Sequence, residues 1–129
     1  MTGHNPAYSS TNKVFTVKEA RAALPYVRRI TADVVETYAR IIQIRRASEH
    51  EPENYQDDYW RAMDKLGALI DELHAAGVEL KDYELGLIDF PASLHGTNIY
   101  LCWKHGEPEI KYFHFVDEGL MARKVIDFE

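Results

Sequence analysis

At Gly77 the spacing of apolar residues changes, from one in every three or four positions to every second position. The first spacing gathers apolar side chains on one side of a helix; the second gathers them on one face of a strand. The change predicts an α+β protein: a long antiparallel helical hairpin over 14–77, packed on a small three-stranded antiparallel β-sheet within 78–129. With 129 residues, the chain has the size of one domain. Residues 14–129 are read as that domain, behind a flexible N-terminal tail, 1–13, rich in Gly, Asn, Ser and Thr.

The first helix opens on Thr16-Val-Lys-Glu19, a capping box in which the threonine oxygen and Glu19 each satisfy a backbone amide. Pro25 lacks an amide hydrogen and disfavours helical geometry at Leu24, so the helix is expected to kink or restart there. Beyond it, Val27, Ile30, Val34, Tyr38, Ile41 and Ile42 fall on one side at 100° per residue. Glu36 and Arg40 stand four apart on the opposite side, in the favourable order for an ion pair. A polar connection, 48–53, leads to a second helix over about 54–76 with a stripe of Tyr55, Tyr59, Met63, Leu66, Ile70 and Leu73. Gly77 suits its left-handed C-terminal cap.

In the second part, 86–90 reads as a strand stopped by Pro91, 97–104 as the next and 109–116 as the third, with turns at 93–96 and 105–108. Simple closure of the second hairpin pairs Trp103 with Ile110, Leu101 with Tyr112 and Ile99 with His114. That register places His114 on the face turned to the helices, and Tyr100, Cys102, Lys111 and Phe113 on the other.

Composition limits the function classes. The single cysteine, Cys102, rules out a disulfide framework and fits a reducing cytoplasm. Residues 1–12 are polar, without the apolar segment of a signal peptide, and no run is long enough for a membrane helix. The formal net charge of −6 would repel a phosphate backbone, and the arginines of the first helix scatter over more than half its circumference. Neither nucleic acid nor membrane is an expected partner. Trp60 falls off its apolar stripe, which points to a contact with a second subunit through the helices, most simply in a homodimer.

The segments 77–82, Gly86-Leu-Ile-Asp-Phe-Pro91, Tyr100-Leu-Cys-Trp103 and Gly106-Glu-Pro-Glu109 form a distinctive series, continued by His114, Asp117, Gly119 and Arg123. In these residues the chain resembles a bacterial family known as domain of unknown function 2203, over about Phe15 to Val125. The resemblance implies no established activity. An acidic residue often follows the histidine in that family; Phe115 stands there in this chain, which counts against a mechanism needing a carboxylate beside His114.

The same region carries the candidate chemistry. His114 reads as a core histidine held by a carboxylate or carbonyl, or as a metal ligand or general base. Asp89 lies on the neighbouring strand and meets His114 if the strands form a meander; the two are the candidate catalytic pair. His114, Asp89, Asp117 and Glu118 together would suit a divalent ion such as Mn²⁺, Fe²⁺ or Zn²⁺. A buried Asp89 needs a partner, and His114, Arg123 and Lys81 are the candidates. Arg123, Cys102, Trp103 and Glu107 are the candidate ligand contacts: Arg123 as a fork for an anion, Cys102 as a thiol with His105 as its nearest base in sequence. The bland alternatives are a small buried thiol, a solvated turn glutamate and a structural arginine pair. Two functions follow. One is a small-ligand- or metal-binding domain with its site in the β-rich part; the other is a non-enzymatic assembly or regulatory module that uses the helical hairpin as its interface.

Overall fold

Thr16 caps the first helix as its sequence requires: its Oγ1 accepts from the Glu19 amide at 3.0 Å, and Glu19 Oε1 accepts from the Thr16 amide at 2.9 Å. The structure, a computed structural model, describes residues 13–51 and 55–128. Residues 1–12 of the expected tail and 52–54 of the helix connection lie outside the described residues. Helix α1 (Val17–Ser48) is one continuous element of 32 residues, about 48 Å long at 1.5 Å per residue. The expected restart at Pro25 is not found. Pro25 is exposed while Leu24 and Val27 beside it are buried, so tertiary packing holds the helix through its one missing hydrogen bond.

Helix α2 (Gln56–Ala75) ends in a Schellman turn. The Val78 amide donates to the Leu73 carbonyl at 3.3 Å and the Gly77 amide to His74 at 2.9 Å. Gly77 has φ 92°, and a Cβ there would meet the Lys13 side chain at 2.7 Å. The positive φ favours glycine, and the Lys13 side chain would also have to give way to a Cβ.

The sheet corrects the sequence reading. Among the described residues it has five strands, not three, in the order β1 (Glu79–Asp82), β2 (Leu87–Leu94), β3 (Thr97–Lys104), β4 (Tyr112–Phe115) and β5 (Lys124–Val125), each antiparallel to the next. The two missed strands are the edges. β1 is polar apart from Leu80 and its register is irregular, and β5 is two residues long, so neither gives a clear alternation. β2 also runs on through Pro91. β1 pairs only as far as Asp89, so beyond that point β2 is an edge where a missing amide costs little. The Phe15 backbone crosses there instead, donating to the Pro91 carbonyl at 2.7 Å.

The register of β3 with β4 is shifted by one residue from the expected closure: Leu101 pairs with Phe113, Tyr100 with His114 and Cys102 with Tyr112. The connection 105–111 is not a plain hairpin turn. The Glu107 carboxylate accepts from the Lys104 amide at 2.8 Å and its carbonyl accepts from the Trp103 indole at 3.0 Å, which takes up the extra residue. A shift of one exchanges the faces of a strand. Phe113 therefore joins Ile88, Phe90, Ile99, Leu101 and Trp103 in the core shared with α1 and α2. His114 turns to the other face.

Candidate functional site

Strand alternation places Asp89, Tyr100, Cys102, Tyr112 and His114 together on the face opposite the apolar core. Asp89 and Cys102 are direct partners across β2 and β3, and His114 reaches in from β4 on the far side of β3. The expected meeting of Asp89 and His114 takes place across two strand spacings, above Cys102. His114 Nε2 lies 3.1 and 3.2 Å from the two Asp89 carboxylate oxygens. The other ring nitrogen, Nδ1, donates to the Phe115 carbonyl at 2.8 Å. Asp89, Cys102 and His114 are 2%, 0% and 3% exposed, an unusual burial for polar groups on the outer face of a sheet.

Side chains roof this cluster. The Tyr100 ring lies tilted against His114, 5.6 Å between ring centres, and its hydroxyl donates to Glu79 at 3.0 Å. Lys81, one of the candidate partners of Asp89, pairs with Glu79 at 2.7 Å and lies over the Tyr100 ring. Arg123 sits over the Tyr112 ring at 4.2 Å, donates to the Cys102 carbonyl at 3.1 Å and forks onto both carboxylate oxygens of Glu107 at 2.7 Å.

The electrostatics follow from this packing. Burial works against a charged His114, but its hydrogen bonds to Asp89 and the Phe115 carbonyl, with the charge of Asp89, outweigh it and push its pKa up to about 10. At neutral pH His114 is an imidazolium facing Asp89. Burial raises the Cys102 thiol above its ordinary value; the neighbouring His114 offsets this only in part. The resting thiol is protonated and is not an activated nucleophile. Glu107 is displaced downward: burial opposes its charge, but the Arg123 fork and the Lys104 amide hold it ionised.

One donor atom each from Asp89, Cys102 and His114 lies within 4.8 Å of the other two, close enough to hold a metal ion, and the described residues contain no other such group. Asp117 and Glu118 are not brought into it. Asp117 is exposed, and Glu118 accepts from Lys124 at 2.9 Å and from the Phe115 amide at 3.1 Å. Trp103 points into the apolar core. His105 packs beside Trp103 and Gly86 on the helix side of the sheet, away from Cys102. Tyr100 and Tyr112 are the site residues that the sequence reading missed; the alternation of β3 and β4 gives them once the register is known.

A model of uncharacterized conserved proteins, DUF2203, matches residues 13–126. The chain belongs to this family. The match spans both helices and the whole sheet, so the Asp89–Cys102–His114 cluster and its roof lie inside the family domain. No curated protein and no solved structure matches the chain. None of the described helices is long and apolar enough to cross a membrane.

Proposed function

We propose that this DUF2203 domain binds one divalent transition-metal ion through Asp89, Cys102 and His114. The observation that carries the reading is the placement of a carboxylate, a thiol and an imidazole from three adjacent strands within 4.8 Å of one another, all buried. The second hydrogen bond of His114 supports it. A metal-bound histidine characteristically donates its other ring N–H to a carbonyl or carboxylate, and here Phe115 supplies that acceptor to Nδ1, leaving Nε2 as the donor atom. Mixed sulfur, nitrogen and oxygen donors favour a borderline ion, Zn²⁺ or Fe²⁺, over Mg²⁺ or Ca²⁺. Three protein donors is the number that catalytic zinc sites use, with the remaining position taken by water or ligand. Binding displaces the imidazolium proton and the thiol proton, so it strengthens as pH rises.

The test is elemental analysis of untagged protein purified without chelator and then equilibrated with zinc. About one equivalent is expected in the wild type and none in His114→Ala. A wild type that stays empty in excess zinc would leave Asp89 and His114 as a structural ion pair.

The exposure of Trp60, 56% on the surface of α2, favours a second reading for the helices: a homodimer interface on the hairpin. On this reading Trp60→Ala shifts the protein toward monomer in sedimentation. A wild type that is already monomeric contradicts it.

A further inference from the structure

On the helical hairpin a separate cleft of about 420 Å³ opens between α1 and α2, in the size range of small-molecule sites. Ala62, one of the few buried residues of α2, leaves room where the helices approach each other. Arg40 comes from α1 and Arg61 and Lys65 from α2. Arg61 is paired with Asp58 at 3.1 Å. Arg40 and Lys65 form no ion pair among the described residues, although Glu36 stands one turn from Arg40 and lines the same cleft. In a chain with a net charge of −6, cations have many carboxylates to choose from. Two that stay unpaired in one concavity mark a place for an anion.

A buried polar group gives the second observation. Thr37 lines the cleft and is only 5% exposed. A buried helical threonine ordinarily bonds back to the preceding turn, as Thr31 does when it donates to the Val27 carbonyl at 2.8 Å. Thr37 makes no side-chain hydrogen bond among the described residues. Its hydroxyl is not among the polar atoms sealed off without a partner, so it keeps some solvent access where Thr37 lines the cleft.

We propose that this cleft binds a small phosphorylated metabolite that also carries hydroxyl groups. Arg40 and Lys65 take the phosphate, the guanidinium by its planar fork and the ammonium as a point charge, and the Thr37 hydroxyl donates to a phosphate oxygen. Glu36 accepts from the hydroxyl groups. The cleft is larger than a lone phosphate needs, which is why the ligand is assigned a polyol portion.

The test is a calorimetric titration of the whole protein with ribose 5-phosphate, beside ribose and inorganic phosphate. Saturable binding of ribose 5-phosphate is expected, tighter than that of either fragment. Arg40→Gln and Lys65→Gln should each weaken it roughly tenfold, as loss of a charge-assisted hydrogen bond does. Thr37→Val, which keeps the volume, should weaken it about three- to tenfold. Arg29→Gln, on α1 outside the cleft, should leave it unchanged, and circular dichroism should show all four variants folded. Three results would each overturn the proposal: no saturable binding, equal weakening by Arg29→Gln, or full affinity in both Arg40→Gln and Thr37→Val. Phosphate binding as tightly as ribose 5-phosphate would overturn the assignment of the polyol portion.

Discussion

Ile88, Phe90, Leu101 and Trp103 point from β2 and β3 toward the helices and are fully buried; Asp89 and Cys102, between them in sequence, point the other way and are buried almost as completely. The inner face is closed by apolar contact with two helices, which any comparable set of large side chains could supply. The outer face is closed over a carboxylate, a thiol and an imidazole by Tyr100, Tyr112 and Arg123, and this burial opposes charge wherever it acts. Burial of the first kind stabilises the fold. The second kind works against stability unless every polar group is matched, and a fold keeps such an arrangement most readily where it serves a site.

Substitutions on each face separate the two roles. The largest effect is expected on the inner face. Phe90→Ala empties a fully buried position and should cost about 3–5 kcal/mol in urea unfolding, while the folded fraction keeps its metal affinity. Loss of metal binding in that folded fraction would mean that the faces are not separable. Next comes Asp89→Asn, which leaves the His114 charge uncompensated and should cost roughly 3 kcal/mol in metal-free protein. Unlike Phe90→Ala, its cost should shrink when His114→Gln is added, a coupling absent between Phe90 and His114.

The third expected effect is on pH, and it accumulates gradually over several units. The folded-state pKa of His114 is raised from 6.5 to about 10, so the stability it contributes is fully present below about 6.5 and is lost as pH climbs toward 10. Cys102, also raised, acts in the same direction at the alkaline end. Metal-free protein should therefore lose stability steadily from pH 6.5 to 10, and His114→Gln should flatten most of that slope. A wild-type profile flat over this interval would show that the pair is not charged in the folded state.

The inner face was the more legible of the two in the sequence. The capping box at Thr16, the stripes of both helices and the role of Gly77 all depend on residues within one or two turns of each other. Apolar alternation gave Ile99, Leu101 and Trp103 their common side. The outer face depends on register, and register depends on how Glu107 folds the 105–111 connection onto Trp103 and Lys104, which no local pattern encodes. That is why the sequence singles out Asp89 and His114 as a pair yet offers Cys102 the base His105, which lies outside the cluster. Asp117 and Glu118 are close to His114 in sequence, but the turn after Phe115 leaves both exposed, and Lys124 takes Glu118. The charge of Arg123 suggests an anion or Asp89 as its partner; the partner it finds, Glu107, comes from a loop 16 residues earlier. β1 and β5 were invisible because short edge strands with little apolar content look like loops.

The central claim, that the outer face is built around a metal, is tested most directly by titrating Co²⁺ into metal-free protein and following its absorption. A thiolate ligand gives cobalt a sulfur-to-metal charge-transfer band in the near ultraviolet that oxygen and nitrogen ligands do not. The account predicts that this band saturates at one equivalent, grows as pH rises, and is absent in Cys102→Ala, whose fold should be weakened by only about 1 kcal/mol. Wild-type protein that shows no charge-transfer band, or a band that survives in Cys102→Ala, would contradict it.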